Sequence, residues 1–319
     1  MLQQSNPNIA SKSHGLNIFS RVVKNVKRDK FLIILVIPMI IYYIVFHYIP
    51  MYGVIIAFKD FSIRDGIIGS QWVGLENFKV FTSSIYFWRL LKNTFLMGVF
   101  QLLWGFPVPI IFALMLNEVR SFTYKRIVQT VSYMPHFISV VVIVGILVNF
   151  LSPNNGVINS ILKSFGKDPV NFMYEVKWFR TLYIGSGIWQ NFGWGSIIYI
   201  AAISNIEQSM YEAAHIDGAD RFKQIIHITL PSLAPTIIMM FILRMGNIMS
   251  IGFEKILLMS SPATYEVSDV IATYTYRIGI NGGDFSIGAA AGLFNSVINF
   301  IMLVAVNRIS RKVSESSLW

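Results

Sequence analysis

Apolar runs long enough to cross a lipid bilayer recur along this chain, and nothing else constrains its fold so tightly. A helix needs roughly 20 apolar residues to span the hydrocarbon. Uncharged runs of at least that length occupy 31–58, 94–116, 127–162, 181–206 and 285–307, and a sixth, 228–253, is interrupted by Arg244 alone. Trimmed to their apolar cores they predict six spans, at 31–49, 93–117, 127–151, 181–204, 231–256 and 286–307. Only 13% of the residues are charged, half the usual share of a soluble domain. The expected fold class is therefore an all-α membrane protein.

Six spans place both ends of the chain on one side of the membrane. Segments 1–30, 118–126, 205–230 and 308–319 carry 14 of the 26 Lys and Arg residues, and the longer opposite segments carry 10. The bias of basic residues toward the cytoplasm puts both termini and the 205–230 loop inside. Topology thus accounts for the formal charge of +10, and no nucleic-acid partner is expected. In the tail 1–30, Phe19, Val22, Val23 and Val26 repeat at helical spacing among Arg21, Lys24, Lys27 and Arg28, the pattern of an amphipathic helix lying against membrane lipids. A second cytoplasmic tail, 308–319, closes the chain. The N-terminus lacks the small-residue cleavage site of a secretory signal.

Several chemistries are missing. The chain has no cysteine, which removes disulfides, thiolate metal sites and cysteine nucleophiles. Neither a phosphate-cradling GxxxxGK[ST] loop nor a GxSxG or HExxH motif occurs, so no catalytic residue and no metal site is expected. Ser186 and Ser196 sit among small residues that simply pack helices. Proline and glycine within the spans (Pro38, Gly105, Pro107, Pro109, Pro135, Gly193, Gly195, Pro235) imply helices packed on one another or around a cavity. No internal repeat is visible, which counts against a carrier built from inverted repeats.

The stretch YEAAHIDGADRFKQIIHITLP, residues 211–231, stands out between two apolar runs. Ser209 and Glu212 have capping-box spacing, and Gly218 suits the left-handed position that ends a helix. A second short helix, 219–227, is expected to show Phe222, Ile225 and Ile226 on one side, and Pro231 to open the next span. The product is a small charged knob of two short helices, shaped to dock into a partner's groove.

Glu212, Ala213, Ala214, Asp217, Gly218, Leu230 and Pro231 together resemble the signature of permease subunits of ABC importers. In the segment IEQSMYEAA, Gln208 stands where many relatives carry proline. WVGLENFKVF (72–81), NTF (93–95), HYIPMYGVIIAFKDFS (47–62), GFEKILLM (252–259) and GAAAGLFNSVINFI (288–301) are similar to the subgroup that imports complex oligosaccharides and polysaccharide fragments in Gram-positive bacteria. The resemblance implies the type I importer permease fold, with the knob as a coupling helix seated on an ATPase subunit. It also implies a second, non-identical permease, two ATPase subunits that consume the ATP, and a lipid-anchored solute-binding protein. This chain itself would hold no cofactor and have no enzymatic activity. The cargo implied is an oligosaccharide. A permease for peptides or other solutes fits the knob alone, and the alternative from another class is a membrane scaffold or receptor that signals without transport.

Sugar rings stack on aromatics and their hydroxyls need amides. Trp189, Gln190, Asn191, Trp194 and Asn247 are the expected lining of a substrate path, although Trp also anchors helices at membrane interfaces. Five residues turn a helix by about 140°, so Trp189 and Trp194 cannot both face it.

Overall fold

In hydrocarbon no water satisfies a backbone amide, so an apolar run must close its own hydrogen bonds as helix. The computed structural model describes residues 29–313. The amphipathic pattern at 19–28 and the last six residues lie outside the described residues. The principal helices are α1 (Lys30–Phe58), α2 (Glu76–Ser83), α3 (Phe87–Asn117), α4 (Phe122–Phe137), α5 (Val140–Phe150), α6 (Val157–Ser164), α7 (Val176–Ser204), α8 (Gln208–Ile216), α9 (Arg221–Met245), α10 (Phe253–Met259) and α11 (Phe285–Val313). A two-residue antiparallel ladder, Lys59–Asp60 with Gln71–Trp72, is the sheet among these residues.

Helices α1, α3, α9 and α11 are each long and apolar enough to cross a membrane. The pair α4 and α5 reaches that standard only together, and it is bent by 98°. Helix α7 has 29 residues, about 44 Å at the α-helical rise, but Asn, Gln, Ser and Gly dilute its apolar character. The chain is thus an all-α membrane protein. Helix α1 as far as Ile55 belongs to one compact unit, and its last residues with the remaining described elements belong to another.

Two predicted spans differ in shape from the simple rods expected. The run 127–151 breaks between Phe137 and Val140, after Pro135. Ser139 caps α5 by accepting from the Val142 amide, and the Gln190 amide donates to the freed Ile138 carbonyl at 3.0 Å. The run 231–256 ends as helix at Met245 and resumes at Phe253. Between them, side-chain amides of α11 take over from helical bonding. Asn299 accepts from the Met249 N–H at 2.9 Å and donates to Ser250, and Asn295 donates to the Met249 carbonyl.

Close helix contacts are bought with glycine. A Cβ on Gly98 of α3 would lie 2.0 Å from the Ile248 carbonyl oxygen, and one on Gly193 of α7 would lie 2.1 Å from that of Ser132. Ile110 and Ala113 of α3, Tyr199 and Ile203 of α7, and Leu233 of α9 form one buried cluster. Met97, Val144, Tyr183 and Ile256 belong to a second, joining α3, α5, α7 and α10.

One buried carboxylate organises the segment before α11. Asp269 is 1% exposed and accepts from Arg89 at 3.0 Å and twice from Arg277 at 2.9–3.0 Å. A buried charge needs such partners. The Asp269 hydrogen bond raises the Arg277 guanidinium above its ordinary value, against an opposing effect of burial. Asn93 donates to the Glu266 and Asp269 carbonyls, and Thr94 accepts from the Ile271 amide. The NTF triplet therefore clamps a distant segment onto α3.

Candidate functional site: the charged knob and the cavity between the long helices

The knob forms where helix α8 has to stop. Gly218 has φ +77°, in the left-handed region that costs side-chain-bearing residues. Its N–H donates to the His215 carbonyl at 3.1 Å, and the Ala219 N–H donates to that of Ala214 at 2.9 Å. That pair of bonds is a Schellman termination. Asp220 then caps α9, accepting from the Lys223 amide at 2.8 Å.

Two details of the knob correct the expectation. Helix α8 begins at Gln208 with Glu207 as its N-cap and no side-chain cap bond. Ser209 and Glu212 therefore lie inside the helix and form no capping box. The start is two residues earlier than Ser209 capping requires, and the Ser209 hydroxyl turns back to Glu207 at 3.5 Å. Gln208 occupies the first helical position, where proline is readily accepted. Pro231 stands in the first turn of the α-helical stretch Leu230–Met245, as expected, but that stretch does not begin a separate helix, because α9 already starts at Arg221. A π-turn over Ile225–Thr229 absorbs the missing proline N–H, so the second short helix and the span are continuous.

Polar contacts fix the knob to the helices behind it. The Tyr211 hydroxyl meets that of Thr229 at 2.9 Å. Arg221 donates to the carbonyl and carboxylate of Glu118, both at 3.3 Å. Gln224 donates to the Ala219 carbonyl. Glu212, Ala213, Asp217 and Pro231 are exposed, whereas Ala214 and Leu230 are half-buried. No hydrogen bond or ion pair among the described residues uses the Glu212 carboxylate. Ile216 is 85% exposed and Phe222 70%, so the knob offers apolar contacts beside an unpaired carboxylate.

The second site is a cavity of about 340 Å³ between α3, α7 and α9, lined among others by Gln101, Asn191, Trp194, Tyr199 and Arg244. Asn191 and Trp194 come together there. His136, at the end of α4, holds both: its ring stacks on Trp194 at 4.7 Å, and its Nδ1 meets Asn191 Oδ1 at 2.9 Å. Asn191 donates to the Gly187 carbonyl, so its Oδ1 is the acceptor and His136 Nδ1–H the donor. The other three expected lining residues sit elsewhere. Trp189 lines a separate apolar cavity of about 370 Å³ with Ile143 and Phe150, as the 140° rotation requires. Gln190 is buried on Ile138, and Asn247 donates to the Leu243 carbonyl one turn back. Sequence reasoning had no signal for His136, whose partners lie 55 and 58 positions away.

Residues 105–315 match the family model described as the binding-protein-dependent transport system inner membrane component. The chain belongs to this family. The permease is 43% identical to Protein LplB of Bacillus subtilis over 92% of both chains. It is 40% identical to the polygalacturonan/rhamnogalacturonan transport system permease protein YteP of the same organism, over 94% of this chain and 93% of that one. Among solved structures, the permease aligns with a chain of a bacterial ABC transporter involved in import of the acidic polysaccharide alginate. The TM-score is 0.85 at 43% identity, covering 92% of this chain and 99% of the other. A second structure is that of the bacterial alginate ABC transporter in complex with its alginate pentasaccharide-bound periplasmic protein, at TM-score 0.85 and 42% identity.

Proposed function

We propose that this permease is one half of the membrane channel of an ATP-driven importer, and that it passes an oligosaccharide from an extracellular solute-binding protein to the cytoplasm. The observation that carries this reading is the knob: a stiff, exposed element on a Schellman turn, continuous through α9 with the wall of the cavity. Movement of the knob is thereby transmitted to Met240 and Arg244, which line that wall. The knob faces the cytoplasm, as do both termini, and docks on one of two ATPase subunits that consume the ATP. A second, non-identical permease completes the pathway. The saccharide names attached to YteP and to the alginate transporter favour a carbohydrate cargo.

The experiment is reconstitution of this permease with its cognate partner permease, ATPases and binding protein in proteoliposomes. ATP-dependent accumulation of the saccharide that co-purifies with the binding protein is expected, and the permease alone should hydrolyse no ATP. Equal accumulation when this subunit is omitted would refute the proposal, as would hydrolysis that survives removal of both ATPases.

A further inference from the structure

Two cations bear on which oligosaccharide the cavity takes. Of the 26 Lys and Arg residues, Arg244 and Lys255 are the two that fall in none of the basic-residue segments flanking the predicted spans. Arg244 stands next to the last residue of α9 and lines the cavity with Gln101, Asn191 and Trp194. No Asp or Glu lines it. None of the ion pairs among the described residues includes Arg244.

Lys255 stands behind the same wall. It is 7% exposed, its Nζ donates to the Tyr183 carbonyl at 3.0 Å, and it lies 5.1 Å from the Tyr183 ring. A Cβ on Gly187, which lines the cavity, would be 3.4 Å from that Nζ. The wall therefore carries two positive charges and no compensating carboxylate among the described residues. An ionised side chain among membrane helices is costly and, where it is kept, faces a partner or a polar pathway. A guanidinium presents a planar fork of donors that matches a carboxylate. The Gln101 amide, which enters none of the hydrogen bonds among the described residues, is free for a hydroxyl.

We propose that the cavity selects an acidic oligosaccharide, with Arg244 binding a uronate carboxylate and Lys255 adding to the positive field. This rests on the reading of the cavity as a saccharide path. The test uses the whole nucleotide-free complex of both permeases and both ATPases, without the binding protein. Binding of galacturonate, glucuronate, mannuronate and guluronate trisaccharides is measured by saturation-transfer NMR, each against its neutral methyl ester. At least one acid should bind roughly ten- to a hundredfold more tightly than its ester, the range of a charge-assisted contact. Arg244→Gln should remove that preference and Arg244→Lys keep part of it, with subunit stoichiometry unchanged on size exclusion. The proposal is overturned if no acid outbinds its ester, or if the preference persists in Arg244→Gln. Dissociation of the Arg244→Gln complex would overturn it too, by showing that the guanidinium serves a partner carboxylate instead. Undiminished import of an acidic saccharide by Arg244→Gln would defeat the charge selection while leaving the transport function standing. Absence of any saccharide import by the wild-type complex would defeat the transport function itself.

Discussion

Gly218→Val is expected to abolish uptake while the protein still inserts and accumulates at wild-type levels. At φ +77° a side chain costs about 1–2 kcal/mol even when it is no larger than a methyl group, and a β-branched one costs more. No neighbour lies within 4 Å of the position a Cβ would take, so the penalty is conformational and not a clash. Relieving it means abandoning left-handed φ, which breaks the two Schellman bonds and re-aims Ile216 and Phe222. An energy of that size lowers the population of correctly aimed knobs by about tenfold or more, yet it is small beside the packing of the long helices. Gly218→Ala should lose less than Gly218→Val. Normal uptake by Gly218→Val, in a background where the partner permease's own knob is disabled, would show that the knob's shape is irrelevant.

Glu212→Gln is expected to fail in transport nearly as badly as Glu212→Lys. Glutamine would substitute well in a capping box, but Glu207 is the N-cap of α8 and Glu212 lies inside the helix with no partner among the described residues. On the proposed docking, the remaining role for its charge is contact with a basic group on the ATPase. A charge-assisted hydrogen bond desolvated on docking is worth about 1.5–3 kcal/mol, enough to cut coupling tenfold or more. Glu212→Lys should do worse because it adds repulsion. Uptake measured against membrane abundance checks both. Wild-type uptake by Glu212→Gln would remove the carboxylate from the docking account.

What could be read in the sequence was whatever depends on neighbours a few residues apart. Gly218 announced its turn because a helical pattern stops there and a second one starts at the next residue. The separation of Trp189 from Trp194 followed from helical rotation alone. Features set by distant side chains were invisible. The break after Met245 is held by Asn295 and Asn299, about fifty residues later. The bend after Phe137 is satisfied by Gln190 from another helix. The triplet NTF was legible as a family mark, but its work of clamping residues 266–271 onto α3 depends on contacts 173 to 177 positions away. At the knob, the capping-box spacing was real and unused, because Glu207 starts the helix first.

The coupling role of the knob can be tested most directly by cross-linking. The chain has no cysteine, and Ile216 is 85% exposed at the knob's tip, so Ile216→Cys gives a single reactive site. In the complete importer, paired with single cysteines placed around the docking cleft of the ATPase, oxidation should yield a disulfide between this permease and an ATPase subunit. The same treatment should arrest ATP-dependent uptake, and reduction should restore it. If Ile216→Cys forms no adduct with any ATPase cysteine, or if uptake continues undiminished while the adduct is in place, the knob does not carry the coupling.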